Sequence, residues 1–493
     1  MNTTTTYPVE FETDVVLRDG STLRLRPVRP DDAPALLTFF QGLSSESLYF
    51  RFMAVPRIDL HRVTALANVD YDNEFALVGE CNRGIIALAG YYRGTPPEER
   101  AEVAFAIADD YQGKGIGTRM LERLADIARL KNVRTFNAYV LGDNRRMMEV
   151  FLESGFAVKR HVESGVYHVV LSLEPTEAYE ERAAERSLKA ATASMKPFFE
   201  PRSVAVIGAN RTRGRIGSEL LHNLIATGFA GSIYPVNPLA SEIQGLRSYP
   251  SVTSISGPVD LAIITVPAPD VLDAVDECIR KRVRAVVVIS AGFGEAGPDG
   301  KQREAKLLDR IRSAGIRLIG PNCMGVLNTD PEFQMNATFS HVFPPPGNVA
   351  IATQSGALGV AILDYAKRLN VGISSFVSMG NKPDVSGNDL IQYWAEDPRT
   401  NVILLYLESF GNPKKFSQIA RRIGRTKPII AVKSGRSHAG IRAVSSHTGN
   451  LASTDTVVDA LCHQAGVIRT DTLEELFDVA ALVSNQPIPR GGR

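Results

Sequence analysis

The stretch DDYQGKGIGT, residues 109–118, decides the fold of the N-terminal part of the chain. It joins an apolar strand pattern over Glu102–Ala108 to a helical pattern over Gly117–Arg129. Its three alternating glycines let backbone amides converge where the helix begins, and the helix dipole adds positive potential there. The stretch therefore predicts a pyrophosphate-binding turn. The alternative is a glycine-rich strand-to-helix turn that binds no ligand.

Patterns on both sides of this turn predict a mixed α+β domain over residues 22–175. Helices are predicted from about Asp31 and over Arg145–Ser154. The predicted strands are Thr22–Pro27, Phe75–Cys81, Gly84–Tyr92, Val133–Val140 and Val166–Leu173. We interpret residues 1–21 as a loose leader. Residues 176–197 are rich in Ala, Glu, Arg and Lys, and we interpret them as a solvated helical linker.

A second motif in this domain is a helix that opens at Asn144, carries Phe151 and ends at Gly155-Phe156. Together with the glycine-rich turn, it resembles the GNAT acyltransferases over about residues 22–173. The segment LSSESLYFRF, residues 43–52, further resembles bacterial protein lysine acetyltransferases of the Pat type. The resemblance implies acetyl-CoA as the cofactor. The residues that it assigns to the cofactor are Gln112, Gly113, Gly115, Gly117 and Thr118 at the pyrophosphate, Phe105 and Ile107 at the pantetheine arm, and Asn144.

Acylation of an amine needs a base, because a lysine ammonium, with a pKa of about 10.4, is not a nucleophile. Glu102 matches the catalytic glutamate position of the Pat-type proteins, so we expect it to act as general base, directly or through water. The alternative is a solvated residue at a strand end. A backbone amide near Ala106 or Ile107 is expected to hold the oxyanion. Phe151 stands where many GNAT enzymes carry a tyrosine acid, and we interpret it as core packing.

From Ser203 the chain alternates short apolar runs with helical stretches, which predicts a parallel, doubly wound sheet over residues 198–340. Gly208–Gly217 is a Rossmann-like opening, but the second strand ends without a carboxylate, which disfavours nicotinamide binding. The motifs VPAP (266–269), SAGFG (290–294) and GPNCMG (320–325) resemble the CoA-binding domain of NDP-forming acyl-CoA synthetases. The resemblance implies CoA contacts by Gly208, Asn210, Arg211, Pro267 and Asn322. Cys323 is interpreted as a buried small residue rather than a nucleophile.

A further α/β domain is predicted over residues 341–486, and it resembles the flavodoxin-like succinyl-CoA-ligase domain of the same synthetases. The resemblance implies that His447 is phosphorylated, that Glu408 orients it, and that Ser355 and Gly356 bind phosphate at a helix N-terminus. The ATP-grasp domain that would phosphorylate His447 has no pattern here, and residues 487–493 are interpreted as a truncated linker. Either a partner chain supplies that domain, or the sequence is a fragment, or the region is a CoA sensor.

Composition limits the remaining functions. The 493 residues carry 55 Lys and Arg against 54 Asp and Glu, which argues against binding nucleic acid or anionic membrane through bulk charge. There is no apolar run long enough to span a bilayer, and no secretory signal, metal or disulfide framework is expected. The scattered Cys81, Cys278, Cys323 and Cys462 are typical of a reducing cytoplasm.

Three hypotheses for the function result from these patterns. The leading one is an acetyl-CoA-dependent N-acetyltransferase acting on a lysine of a protein such as an AMP-forming acyl-CoA synthetase, with a CoA-binding regulatory region. The second is the CoA-ligase portion of an NDP-forming acetate–CoA synthetase. The third is a non-catalytic acyl-CoA sensor.

Overall fold

The computed structural model of the chain describes residues 6–82, 84–94, 98–434 and 455–487. It divides into two units. The first contains Met1–Ala190 with the short segment Arg312–Gly315, and the second contains the rest of the chain. His447 and residues 488–493 lie outside the described residues.

The first unit is built on one mixed sheet of eight strands in the order β1-β2-β3-β4-β5-β6-β8-β7. The strands are β1 Thr13–Val16, β2 Thr22–Pro27, β3 Glu74–Cys81, β4 Gly84–Tyr92, β5 Arg100–Ile107, β6 Thr135–Leu141, β7 Ala157–Glu163 and β8 Val166–Ser172. The helices are α1 Ala33–Gln41, α2 Ser45–Phe52, α3 Leu60–Ala67, α4 Ile116–Leu130, α5 Arg145–Glu153 and α6 Glu177–Phe199, the last of which ends in the second unit.

At the centre of this sheet, β5 and β6 form its parallel pair and then diverge. We call the point where they diverge the fork. A parallel pair needs a crossover connection, and here α4 provides it. The ladder between the two strands joins only Arg100 to Thr135, Ala101 to Phe136 and Glu102 to Asn137. Beyond Glu102, β5 remains paired with β4 as far as Ile107 but is no longer paired with β6. The edge of β5 that faces β6 is therefore open after Glu102.

Helix α4 covers one face of the sheet, because its apolar residues repeat at helical spacing. Met120, Leu121 and Leu124 are completely buried in the core of the first unit. Helices α1 and α3 contribute to a second core cluster, in which Leu36, Phe40 and Val63 are completely buried. The turn between β5 and α4 is thus held between packed elements.

Three predictions for this region differ from the structure. The segment expected to be a loose leader contains β1, whose residues Thr13–Val16 pair with β2. Strand β7 was missed, because its residues are nearly all exposed and show no apolar alternation. The expected solvated linker is helical, but it is buried at both ends. Tyr179 stacks on Phe156 in the core of the first unit, and Phe198 is completely buried in the core of the second.

The second unit contains two larger sheets. The first is fully parallel, in the order β10-β9-β13-β14-β15. Its strands are β9 Ser203–Ile207, β10 Ser232–Val236, β13 Leu261–Ile264, β14 Ala285–Val288 and β15 Arg317–Ile319, with the small hairpin β11 Glu242–Ile243 and β12 Leu246–Arg247 beside it. The helices are α7 Ile216–Ala226, α8 Val271–Lys281 and α9 Pro298–Ser313. Such strands read as continuous apolar runs because they are covered on both faces.

The second of these sheets has seven strands in the order β17-β16-β19-β18-β20-β21-β22. They are β16 Gly325–Asn328, β17 Met335–Thr338, β18 Pro346–Thr353, β19 Ile373–Ser378, β20 Val402–Leu407, β21 Ile429–Lys433 and β22 Ile468–Thr470. The helices are α10 Gly356–Arg368, α11 Gly387–Glu396, α12 Pro413–Ile423, α13 Asp455–Ala465 and α14 Leu473–Asn485.

The pairing of β16 changes the expected division of this unit. Residues 325–338 were predicted to belong to the CoA-binding domain, but β16 pairs antiparallel with β19 and with β17. These two strands therefore extend the second sheet of the unit.

In the described part of the chain, no helix combines the length and apolar character needed to cross a bilayer.

Candidate functional site

A cavity of about 1150 Å³ opens in the first unit where β5 and β6 diverge. Its walls come from β5, the turn before α4, the middle of β6, helix α5 and helix α2. All nine residues that the sequence assigned to this site line the cavity: Glu102, Phe105, Ile107, Gln112, Gly113, Gly115, Gly117, Thr118 and Asn144. The structure thus brings together every one of these residues, and their contacts with a ligand remain a prediction.

The turn at the start of α4 requires glycine at several positions. Gly113 and Gly115 have φ of +76° and +84°, in the left-handed region that favours glycine. A Cβ on Gly117 would lie 3.3 Å from Val150 Cγ2 and 3.4 Å from Ile107 Cδ1. The first backbone N–H groups of a helix have no partner within the helix. This turn therefore has the geometry of an anion-binding site.

Gln112 connects four elements around the cavity. Its side-chain Nε2 donates hydrogen bonds of 3.1 Å to the Ile107 carbonyl and to Ser47 Oγ of α2. Its Oε1 accepts a 2.6 Å hydrogen bond from Arg146 of α5. Asn144 caps the same α5 by accepting a hydrogen bond from the Met147 amide at 3.1 Å. Gln112 and Asn144 thus hold the cavity walls in place.

Glu102 lies at the point of the fork, as the last residue of β5 that pairs with β6. Its side chain is exposed in the cavity. Phe151, in contrast, is buried and makes an edge-to-face contact with Phe105 at 6.0 Å between ring centres. This packing agrees with its interpretation as a core residue.

Helix α2 forms a wall of the cavity, and the sequence did not predict that its residues would line the site. Glu46, Ser47 and the residues from Phe50 to Met53 line this side. Burial lowers the pKa of Arg51, and the nearby Glu102 carboxylate opposes that shift. The sequence signal was the segment 43–52, whose likeness to Pat-type proteins indicated a family but assigned no role to single residues.

In the second unit, two predicted CoA contacts meet where β9 and β13 end. Gly208 has φ of +91°, and its position lies against the backbone of Val266, next to Pro267. A Cβ on Gly217 would lie 2.2 Å from the Gly208 carbonyl oxygen, so α7 begins in direct contact with the end of β9. This close approach leaves no room for a side chain at position 217.

Two further predicted residues shape the loop between β9 and α7. Asn210 Oδ1 accepts a 2.8 Å hydrogen bond from the Thr212 amide. Arg211 Nε donates to the Glu242 carbonyl at 3.1 Å. Both side chains therefore have structural partners, and their predicted contacts with CoA are additional to these bonds.

Asn322 has bonds to two loops of the second unit. Its Nδ2 donates to Asn381 Oδ1 at 3.3 Å, and its amide donates to the Ser290 carbonyl at 2.9 Å. Ser290 Oγ donates in turn to the Val266 carbonyl, next to Pro267, and the contact of Asn322 with CoA stays a prediction. The adjacent Cys323 is buried and bonded to the Val288 carbonyl, and burial raises the pKa of its thiol to about 12. This agrees with its interpretation as a buried small residue.

The third site is organised by Gln354. Its Oε1 accepts hydrogen bonds from the amides of Glu408 and Ser409 at 2.9 and 3.0 Å, and its Nε2 donates to the Ser409 carbonyl at 2.7 Å. Ser355 caps α10 by accepting from the Leu358 amide, and Gly356 begins that helix. The predicted Glu408, Ser355 and Gly356 are thereby linked through one side chain.

Lys382 is a further residue at this site that sequence reasoning missed. Its ammonium donates to the Ser409 carbonyl, the same oxygen that Gln354 binds. Burial lowers the pKa of Lys382 to about 8, although the nearby Glu408 carboxylate opposes the shift. A lysine after a glycine-asparagine turn carries no special pattern, so only the fold could reveal its surroundings.

Comparison with known proteins matches three family models along the chain. Residues 22–157 match the acetyltransferase (GNAT) domain, residues 202–329 the CoA binding domain, and residues 346–483 the succinyl-CoA ligase like flavodoxin domain. The predicted multidomain α/β fold class is confirmed by these matches.

Related proteins fall into two groups. The alpha subunit of an ADP-forming acetate–CoA ligase I from Pyrococcus furiosus is 42% identical over 302 residues, which are 60% of this chain and 65% of that subunit. Acetyltransferase Pat from Mycolicibacterium smegmatis is 39% identical over 138 residues, 28% of this chain and 41% of that protein. A solved structure of the dinucleotide-forming acetyl-coenzyme A synthetase 1 of Ca. Korarchaeum cryptofilum, with phosphate and ADP, has a TM-score of 0.58 and 41% identity, covering 61% of this chain and 64% of that one.

These relatives extend beyond the chain described here, which spans less than two thirds of the length of the curated proteins that it matches first. The three matched segments follow one another along the sequence without overlap. The chain therefore joins a GNAT acetyltransferase domain, related to that of Pat, to the CoA-binding and succinyl-CoA-ligase-like domains of NDP-forming acyl-CoA synthetases.

Proposed function

We propose that this protein is an acetyl-CoA-dependent acetyltransferase that acylates the side-chain amine of a lysine in another protein. The observation that carries the proposal is the position of Glu102. Its carboxylate lies at the fork of the sheet, in the same cavity as the glycine turn of α4. A base and an anion-binding turn are thus at opposite ends of one open strand edge.

The open edge of β5 supports the proposed binding of the acyl donor, which is a substrate of this reaction. Beyond Glu102, the backbone groups of β5 that face β6 have lost their ladder partner. An extended amide-containing arm fits such an edge by the same hydrogen bonds that a strand makes. The pyrophosphate would then lie at the turn from Gly113 to Gly117.

The chemistry divides between two groups of the chain. The Glu102 carboxylate accepts, directly or through water, the proton that the lysine ammonium loses, and the resulting neutral amine attacks the thioester carbonyl. The second proton leaves the nitrogen to water as the tetrahedral intermediate collapses. A backbone N–H of β5 near Ala106 or Ile107 stabilises the oxyanion of the tetrahedral intermediate. The new C–N bond forms, the C–S bond breaks, and the electron pair leaves with the CoA sulfur as a thiolate. A thiolate is a good leaving group, so Phe151 in place of a tyrosine acid is compatible with turnover.

The protein substrate that we propose is an AMP-forming acyl-CoA synthetase, by the likeness of the GNAT domain to Pat-type acetyltransferases. The synthetase-like region would bind CoA or acyl-CoA and modulate the rate. We place the protein in the cytoplasm, because the four cysteines are free in the structure.

One incubation tests this function. The full chain is mixed with acetyl-CoA and a candidate synthetase, and acetylated lysines are identified by mass spectrometry. We expect Glu102→Gln to lower the rate by about 100-fold or more, because general bases typically contribute that amount. The control is Glu149→Gln, which removes another carboxylate of the same cavity. An equal rate for Glu102→Gln and the wild type would refute the mechanism.

A second function is favoured by the link between Gln354, Glu408 and Ser409. This region would act as the CoA-ligase portion of an NDP-forming synthetase, with His447 as the phosphate carrier and an ATP-grasp partner chain. We would supply labelled acetyl phosphate, or labelled ATP with such a partner, and look for label on His447. Label that is lost in His447→Asn supports ligase chemistry. Its absence under both conditions leaves the region as an acyl-CoA sensor.

A further inference from the structure

An apolar surface lies on the α2 side of the acetyltransferase cavity. Tyr49, Met53, Val55 and Leu60 are large hydrophobic side chains that are 44%, 42%, 58% and 52% exposed. They follow one another along α2, the connecting loop and the start of α3. We call this surface, with the arginines described below, the α2–α3 face. Clustered exposed apolar side chains of this kind mark interaction sites more often than scattered ones do.

The α2–α3 face is continuous with the cavity. Phe50, Phe52 and Met53 line the cavity, and Met53 also belongs to the exposed face. Tyr139 of β6 is another lining residue and is 52% exposed. A segment that crosses the α2–α3 face can therefore place one of its side chains inside the cavity, toward Glu102.

Two arginines give this face a positive charge. The guanidinium carbon of Arg51 lies 5.0 Å from the centre of the Phe52 ring, and that of Arg62 lies 4.8 Å from it. The positive charge of Arg62 adds to the effect of burial in lowering the pKa of Arg51. Within the described part of the chain, Arg51 Nε is buried and has no hydrogen-bond partner.

Other arginines of the same domain are neutralised. Arg24 and Arg29 pair with Glu12, and Arg26 pairs with Asp32, each at 2.7 Å. Arg51 and Arg62 instead share an aromatic ring, which brings like charges together, and the carboxylate that acts on Arg51 is that of Glu102 in the cavity. An anion bound beside them would reduce this repulsion, and carboxylates, like phosphates, are groups that arginine binds well.

We propose that the α2–α3 face docks the protein substrate and selects a lysine whose flanking residues include an acidic and an apolar side chain. The inference rests on the proposed acetyltransferase function. The acidic residue would bind Arg51 and Arg62, and the apolar residue would cover Met53 and its exposed neighbours. The occupant is the segment around the target lysine, because the face leads directly into the cavity that must receive the amine.

Two matched peptides test this selection at saturating acetyl-CoA. Both carry one central lysine, flanked by glutamate and leucine in one peptide and by arginine and serine in the other. We expect the full-length protein to acetylate the acidic–apolar peptide with a kcat/KM about tenfold higher or more. The preference should shrink as ionic strength rises, because salt screens exposed charges.

Charge-reversal variants connect the preference to the face. Arg62→Glu should lower kcat/KM for the acidic peptide, raise it for the basic one, and leave the KM for acetyl-CoA unchanged. Arg62→Gln should abolish the preference without reversing it. Lys159→Glu is the matched control, because Lys159 is exposed on the distant edge strand β7 and does not line the cavity.

The outcomes separate this inference from the proposed function. Equal kcat/KM values for the two peptides, or a preference that Arg62→Glu does not alter, would overturn docking at this face. Acetylation of a synthetase lysine but of neither peptide would also overturn docking at this face. So would a wild-type dimer that Arg62→Glu dissociates, because a second copy of the chain would then occupy the face. If no lysine of any protein or peptide is acetylated, the proposed function itself fails, and the inference fails with it.

Discussion

Replacing Asp109 with asparagine should release helix α2 from the wall of the cavity. None of the eight residues of α2 is fully buried, and its apolar packing comes from Leu48 and Phe52, which are partly buried against a core cluster. Its N-terminal end is fastened by the Asp109 carboxylate, which accepts hydrogen bonds from the Ser44 amide and Ser44 Oγ at 2.9 Å and from Ser47 Oγ at 2.6 Å. Ser47 in turn accepts from Gln112, so the same contacts join α2 to the predicted cofactor turn.

The size of the effect depends on the exposure of this carboxylate. Hydrogen bonds to charged groups contribute about 1.5–3 kcal/mol, but solvent reduces exposed charge interactions to about 0.2–1 kcal/mol. Asp109 is exposed, so we assign about 0.5 kcal/mol to each of its bonds and about 1.5 kcal/mol to the set. Losing about 1.5 kcal/mol would lower the ratio of attached to detached α2 by about tenfold.

The pH dependence has a definite sign. Burial raises the pKa of Asp109, but the hydrogen bonds from Ser47 and Ser44 outweigh it, so the pKa lies below its ordinary value. The stabilising contribution is therefore complete at neutral pH, and it is lost as the pH falls through the depressed pKa.

Hydrogen exchange read by mass spectrometry measures the attachment directly. Backbone amides of residues 44–53 should exchange about tenfold faster in Asp109→Asn than in the wild type, and the KM for acetyl-CoA should rise. Asp110→Asn is the matched control, because it removes a neighbouring exposed carboxylate. Unchanged exchange in Asp109→Asn would refute the reasoning, since α2 would then be held by contacts other than this carboxylate.

Three further predictions concern close packing and a buried charge. Gly155→Ala should destabilise the acetyltransferase domain by about 2 kcal/mol, measured by thermal unfolding, because φ is +96° and the new Cβ would lie 2.7 Å from Tyr179 Cα. Gly217→Val should abolish CoA binding by the second unit in calorimetry while acetyl transfer persists, because even a Cβ would lie 2.2 Å from the Gly208 carbonyl oxygen. For Lys382, whose pKa is lowered from 10.5 to about 8, the folded state binds fewer protons than the unfolded chain between these values. The wild type should therefore gain stability relative to Lys382→Met as the pH rises through this window, and melting temperatures at about pH 7 and about pH 10 check the sign.

The glycine turn of the first unit was predicted from a local signal. Glycine adopts positive φ without steric cost, so alternating glycines between a strand and a helix permit the left-handed conformations of Gly113 and Gly115. The walls that come from distant sequence were not predicted. Ser47 and Arg51 lie at the cavity on α2, whose start is bonded to Asp109 across more than sixty residues.

The second unit shows the same division. The glycines at 208 and 217 belong to one strand–turn–helix motif, and their close contact agrees with the motif. The bond between Asn322 and Asn381 and the place of β16 in the second sheet depend on contacts between distant segments. Neither change alters the local apolar pattern, so no spacing in the sequence signals it.

By itself, the sequence indicated the order of the three domains and the strand–turn–helix motifs, which depend on steric limits and apolar periodicity within a few residues. Nine lining residues of the acetyltransferase cavity were named through the resemblance to a known family, and the lining residues of α2 were assigned no role. Only the tertiary structure decided where β5 and β6 separate, which helix closes the cavity, and which charges meet on the ring of Phe52. The physical reason is that strand pairing, burial and charge proximity are properties of segments far apart in the chain, and they exist only after those segments have packed.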